Sequence, residues 1–260
     1  MKIVVCVKQV PDTETRVKIA PSGAAISEAD VANWILSPYD EFAVEEALRI
    51  KDAKGGEVVL VTAGPERAQA ALRTGLAMGA DSAVHVKDGA LDSADTLGTA
   101  RALAAAIRAL APFDLVLCGQ QGVGGDHSQV PGMLAELLDL PQVTVAVKLE
   151  VGEGKATVER EVDGGRETWE TPLPALVSAQ KGLNEPRYAS LKGIMAAKKK
   201  PLQTADLASL GLDAAAVAPR VKVTAMELPP ARPAVRMIEG DPQAQAKELI
   251  RLLHEEAKVI

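Results

Sequence analysis

Four short runs constrain this chain more than anything else in it. They are "KIVVCVK" (Lys2–Lys8), "EVVLVTAG" (Glu57–Gly64), "SAVHV" (Ser82–Val86) and "DLVLCG" (Asp114–Gly119). They are rich in apolar, mostly β-branched residues and lack regular alternation with polar ones. A strand with one wet face alternates; a strand covered on both faces does not. Helical segments fill the gaps. In "SPYDEFAVEEALRIK", Ser37 can cap, Pro38 suits the first helical position and Asp40 can complete a capping box. Val44, Ala47 and Leu48 make its apolar face, and Gly55 and Gly56 end it. Pro65 opens a second helix with Leu72 and Leu76 on one face, closed by Gly79. Ser93 to Leu110 reads as a third, with Leu97, Ala100, Ala104 and Ile107 in one stripe. Strand alternating with helix predicts an α/β fold: a parallel sheet with helices on both faces.

The pattern then changes. Thr144–Val151 and Thr157–Val162 alternate around "GEGK", and "DGG" at Asp163–Gly165 makes another turn, so antiparallel hairpins are expected. "PALVSAQ" (Pro174–Gln180) returns to the sheet. After about Gly182 the patterning lapses into prolines and short pieces until "DPQAQAKELIRLLHEEA". There Asp241 caps, Pro242 starts the helix, and Ala246, Ile250 and Leu253 form a narrow apolar stripe. A tail with so little core of its own is expected to pack on another chain or along its own domain.

Composition narrows the function. The 260 residues are 47% hydrophobic, enough for a large core, but only 2% aromatic, so Ala, Val and Leu must build it. A net charge of −6 argues against general nucleic-acid binding. Cys6 and Cys118 sit in apolar runs with no CxxC, which reads as a buried, reduced pair. No apolar run approaches a membrane span and no signal peptide is recognisable, so a cytoplasmic protein without membrane insertion is expected.

The strongest candidate site is Gly119–Ala135, "GQQGVGGDHSQVPGMLA", which follows a buried strand and opens a helix. Such a junction offers free backbone N–H groups and a positive helix end to an anion. Gly122, Gly124 and Gly125 allow close approach, and Ser128 and Gln129 can donate further hydrogen bonds. The pattern points to nucleotide phosphate. It is neither GxxxxGK[ST] nor GxGxxG, so it predicts neither ATP hydrolysis nor a dinucleotide fold. Of the three histidines only His127 lies in this loop; His85 and His254 are isolated, and no spacing offers a metal site or a triad. The hairpin "VEREVDGGRETWETPLPALV" has alternating charges that fit a solvated ribbon face or an interface register. In "LNEPRYASLKGIMAAKKKP", Leu191, Ile194 and Met195 share one short apolar face, bordered by Arg187, Lys192 and the run Lys198–Lys200. A small apolar anchor with a basic rim is the pattern of a partner-docking segment, and the lysines read as solvated.

These residues resemble the β subunit of electron transfer flavoproteins. The likeness spans nearly the whole chain, in order: "KIVVCVKQVPD", "SPYDEFAVEEALRIK", "LRTGLAMGAD", "VEREVDGGRETWETPLPALVSA" and "LNEPRYASLKGIMAAKKKP". The resemblance implies a Rossmann-like fold of the adenine nucleotide alpha hydrolase-like kind over residues 1–182. It implies a partner-recognition loop over 183–201 and a C-terminal arm over 202–260 that packs on an α subunit. It implies an electron-carrier subunit without catalytic residues of its own. The redox-active FAD lies on α, and structural AMP, or a second FAD as in electron-bifurcating members, lies in the β pocket.

Positions matching that pocket are Cys6, Ser37, Pro38, Tyr39, Asp40, Ala63, Gly124, Gly125, Asp126, His127, Ser128, Gln129, Val130, Pro131, Gly132, Met133, Leu134 and Ala135. The family often has Asn where Ser37 stands and Thr where Val130 stands. "GDHSQV" departs from the acid-rich loop of the AMP-binding respiratory members and is nearer the flavin-binding "GD-x-x-QV" form, although Pro131-Gly132 reverses the usual Gly-Pro. Tyr188, Leu191, Ile194 and Met195 are implied to dock a flavin dehydrogenase of the acyl-CoA dehydrogenase type, Leu191 as anchor. Glu161 matches a carboxylate that pairs with an arginine on α, and Thr13 stands where some members place a tyrosine near the α flavin. A stand-alone nucleotide-binding protein is the rival from another class, and the long tail argues against it.

Overall fold

The computed structural model describes residues 1–232 and 234–260. In chain order the strands are β1 (Lys2–Cys6), β2 (Gln9–Pro11), β3 (Trp34–Leu36), β4 (Glu57–Ala63), β5 (Ser82–Val86), β6 (Leu115–Gly119), β7 (Gln142–Val151), β8 (Lys155–Val162), β9 (Gly165–Pro172), β10 (Ala175–Ala179) and β11 (Leu202–Ala205). The helices are α1 (Pro38–Lys54), α2 (Gln69–Met78), α3 (Thr96–Ala109), α4 (Val130–Leu138), α5 (Leu191–Ala197) and α6 (Pro242–Arg251).

One sheet runs β11-β5-β4-β1-β6-β10-β7-β8-β9. From β11 to β7 every neighbouring pair is parallel, and β8 and β9 extend the edge as antiparallel hairpins. The apolar runs are continuous because both faces are covered. In β1, Ile3 and Val5 enter the core with residues of α1 and α2, whereas Val4 and Cys6 enter the core with α3 and α4. β4 and β6 divide the same way, Leu60 and Leu117 to the first core, Val59 and Val116 to the second. Each such fully buried Val or Leu contributes about 1.5–3 kcal/mol of transfer free energy.

Helix starts differ from expectation in detail. α3 begins at Thr96, because Asp95 caps it by accepting from the Gly98 N–H, and Gly89–Ser93 forms a separate 3₁₀ turn. Ala100, Ala104 and Ile107 of its stripe are buried, and Leu97 is half-buried. Pro65 precedes a 3₁₀ turn at Glu66–Ala68, and α2 follows, ending at Gly79.

The first compact unit runs from Met1 to Ala225. β11 pairs in parallel with β5, and Leu207 and Val217 are buried. These contacts use single apolar residues between prolines and turns, which leave no periodicity to read. The second unit, Met226–Ile260, holds α6, capped by Asp241, and a π-helical continuation, Leu252–Ala257; neither buries any residue.

Candidate functional site

From β1 the chain steps to β4 and β5 on one side, then crosses back to β6 on the other. The connections after β1 and β6 therefore part at the carboxyl end of the sheet, leaving the crevice where open α/β sheets bind ligands. Cys6 is the last residue of β1 and Ala63 of β4; Ser37–Asp40 begin α1; residues 120–129 and the first turns of α4 follow β6. The fold thus brings the strand-end, α1 and loop positions of the expected pocket to one end of the sheet.

Asp40 stitches that end together. Its Oδ2 accepts from the Lys8 N–H at 2.7 Å, and its Oδ1 accepts from the Gly119 N–H at 3.0 Å. The Ser37 N–H donates to the Lys8 carbonyl at 2.9 Å, and Thr62 Oγ1 donates to the Val7 carbonyl at 2.7 Å. No capping box forms: Asp40 serves the ends of β1 and β6 instead, and Ser37 makes no side-chain cap. Gly119 permits this, because a Cβ there would run into the Asp40 carboxylate and the Tyr39 backbone. Burial pushes the Asp40 carboxyl up to about 7, against the pull of its two backbone donors. Ser37 Oγ is buried with no hydrogen-bond partner among the described residues. A buried hydroxyl is ordinarily satisfied, so a polar ligand atom is a fitting partner. Cys6 and Cys118 face each other in register, both buried and both free thiols. The neighbouring Cys6 sulfur and burial raise the Cys118 thiol pKa, so Cys118 stays protonated.

The loop after β6 is folded on itself. The Gly122 carbonyl accepts from the N–H groups of Gly125 and Asp126, and Gly124, Asp126 and Ser128 take left-handed φ values of 86°, 49° and 52°. Successive turns of this kind build anion-binding concavities. Gln121 Nε2 donates to Asp126 Oδ1, Ser128 Oγ donates to Gln121 Oε1, and Thr96 Oγ1 donates to Gln129 Oε1. The hydroxyl proton of Ser128 is thus already used within the loop, and Gln129 keeps only its amide nitrogen for a ligand. His127 is exposed on this loop. Val130, Gly132 and Met133 are half-buried in the first turn of α4, and Pro131, Leu134 and Ala135 are buried there.

Lys8 was missed from the sequence. Its Nζ lies 2.9 Å from where a Cβ of Gly122 would be, so a cation stands over the glycine-rich loop. The signal was a lysine directly after the apolar run of β1. His85 is a buried strand residue whose Nε2 bonds the Gly64 carbonyl at 2.9 Å, and His254 Nδ1 lies 3.0 Å from the Ile260 carbonyl. Among the described residues no group of His, Cys, Asp and Glu could hold a metal ion, and no helix is long and apolar enough to cross a membrane.

The segment expected to recognise a partner lies on another part of the unit. Tyr188 is 99% exposed, Leu191 79%, Met195 57% and Ile194 46%, an apolar group on and beside α5. A Cβ on Gly193 would run into the Ala77 carbonyl, so α5 lies tightly on the end of α2. Lys198 and Lys199 are exposed, but Lys200 donates to the carbonyls of Leu76 at 2.9 Å and Ala80 at 2.5 Å, correcting the reading of a wholly solvated run. Glu161 is exposed on β8 beside a depression of about 390 Å³ lined also by Val145, Asp163 and Gln180, and Thr13 is exposed in the loop between β2 and β3.

Fold and site define an α/β protein of the Rossmann kind, with an anion-suited crevice at its switch point and a separate exposed apolar face. Residues 26–210 match the family model described as the electron transfer flavoprotein domain. The chain is 44% identical over 261 residues to the electron transfer flavoprotein subunit beta of Bacillus subtilis (strain 168), covering 100% of both chains. It is 43% identical to that of Syntrophomonas wolfei, covering 100% of this chain and 98% of the relative. It is 43% identical to that of Megasphaera elsdenii over 224 residues, 84% of this chain and 82% of the relative. The chain belongs to the electron transfer flavoprotein family, among its β subunits, and so to the electron carriers.

Proposed function

We propose that this chain is the β half of a heterodimer whose α subunit carries the redox-active FAD. It holds AMP at the β1/β6 crevice and docks flavin dehydrogenases of the acyl-CoA dehydrogenase type through Leu191, in the cytoplasm. The observation that carries the docking role is the exposed face of Tyr188, Leu191, Ile194 and Met195 on a segment otherwise fixed to the compact unit. Large apolar side chains held outward on a packed element stand as anchors for a partner pocket.

The crevice fits a phosphate-bearing nucleotide by its chemistry: the folded glycine loop, the N-terminus of α4, Lys8 and the unpartnered Ser37 hydroxyl. AMP is structural and supplies no chemistry; the protein's part is to bind it, with the electron passing between flavins held at fixed distance. A second FAD in place of AMP is the alternative, favoured by the "GDHSQV" loop. The C-terminal unit, with exposed Leu249, Ile250, Val259 and Ile260, supports packing on α, and Thr13 and Glu161 are assigned to the α face near its flavin.

The test is Leu191→Ala in the purified heterodimer. Electron acceptance from an acyl-CoA dehydrogenase that reduces the parent should fall about tenfold or more in kcat/KM, with flavin content unchanged. Unaltered transfer removes the docking role. Extraction of the same preparation should release one flavin per heterodimer together with AMP, and two flavins decide for the alternative.

A further inference from the structure

The docking face sits on a segment whose two roots are held by polar and charged side chains with buried or backbone partners. At the first root, Asn184 Nδ2 donates to the Phe42 carbonyl at 3.0 Å and to Glu46 Oε2 at 2.9 Å. One residue before Tyr188, Arg187 lays its guanidinium along Glu45. Nε donates to Oε2 at 2.7 Å and Nη2 to Oε1 at 3.0 Å, while the Arg187 backbone N–H adds a third bond to Oε2. Nη2 also reaches Asp52 at 3.0 Å. At the second root, Arg73 Nη1 donates to the carbonyls of Ala197 and Lys200.

We infer that Arg187 is a positioning residue for docking: its fork on Glu45 fixes the Tyr188–Met195 stretch in docking shape before a partner arrives. The inference rests on the docking role proposed above. The Glu45 side chain is only 6% exposed, so this pair differs from a loose surface ion pair. A buried carboxylate left alone is costly, and two parallel charge-assisted bonds constrain orientation as well as distance. Arg187 spends its fork on Glu45 and Asp52 of α1, so its effect on a partner passes through the segment. Pre-ordering matters because a stretch that must order on binding loses part of its contact energy to lost conformational freedom. Lysine keeps the charge but cannot form the planar fork.

The experiment compares Arg187→Lys, Leu191→Ala and the double variant in the intact heterodimer. Without any dehydrogenase, amide exchange over residues 190–197 should quicken about tenfold in Arg187→Lys, since the Ile194 N–H bond to the Ser190 carbonyl opens more often. Reduction by an acyl-CoA dehydrogenase pre-reduced with its acyl-CoA should lose about tenfold in kcat/KM and little in kcat, because docking and not transfer is impaired. The double variant should show both losses, since the ordering cost is met whichever of the face residues remain. Unchanged exchange in Arg187→Lys overturns the inference, and so does an unchanged kcat/KM. An inert Leu191→Ala, with quickened exchange in Arg187→Lys, instead defeats the docking role. Heterodimer formation and flavin content report folding; should Arg187→Lys fail them, Glu45→Gln, which keeps the side chain's shape, must give the same pattern.

Discussion

Asp40 is a carboxylate placed where a charge is poorly solvated. It is 6% exposed, and its carboxyl titrates at about 7 because burial outweighs the two backbone donors. Between the ordinary carboxylate range and that value, the folded chain keeps a proton that the unfolded chain has released. Its contribution to stability is therefore full in acid and is lost as pH rises through this window, by up to about 1.4 kcal/mol per pH unit. Asp40→Asn should remove that slope. It should also cost about 1–3 kcal/mol at pH 5, since the amide must turn its NH2 toward one of the two N–H donors, where the protonated acid keeps a hydroxyl oxygen able to accept. Denaturant midpoints at several pH values check both, the difference between parent and variant cancelling groups common to the two. A variant with the parent's slope would refute the assignment. The local sequence announced a helix start at Ser37-Pro38, and that start is present. It could not announce what Asp40 does, because the two donors lie 32 and 79 residues away.

At the scale of the element, the three lysines after α5 part company. Lys198 and Lys199 are exposed, whereas Lys200 crosses to the C-terminus of α2 and supplies donors to the carbonyls of Leu76 and Ala80. Helix ends leave such carbonyls without intrahelical partners, and a cation is favoured there by the dipole. Partial burial holds the Lys200 ammonium pKa below its ordinary value, so the site has already met a desolvation cost that the two bonds offset. Lys200→Ala should lower the unfolding free energy by about 1.5–3 kcal/mol. Lys198→Ala and Lys199→Ala should stay within about 0.5 kcal/mol, all read from urea midpoints. Equal effects from the three would refute this. Spacing within seven residues was enough to place Leu191, Ile194 and Met195 on one short face. It says nothing about which lysine folds back, since those partners sit 124 and 120 residues earlier.

Across the whole molecule, the covered strands were legible because burial on both faces is written into each run. Their order was not: β1 and β6 become neighbours only through the crossover after β5, and that neighbourhood makes the crevice. The limit of the compact unit was equally hidden, since β11 docks at the β5 edge with four residues. Beyond Ala225 the balance changes. The helical part of Met226–Ile260 buries nothing, and Leu249, Ile250, Val259 and Ile260 are 48–68% exposed. Covering each on a partner contributes up to about 1.5–3 kcal/mol, less the cost of ordering the segment on association. A chain ending at Ala225 should therefore unfold with the parent chain's midpoint when each is studied without α, because its cores are complete. With α it should associate about a hundredfold more weakly or worse, which is a loss of about 2.8 kcal/mol. Titration of the two chains against the purified α subunit measures the difference. Equal affinity would move the heterodimer interface off the C-terminal unit and onto the β8–β9 edge and the loop carrying Thr13.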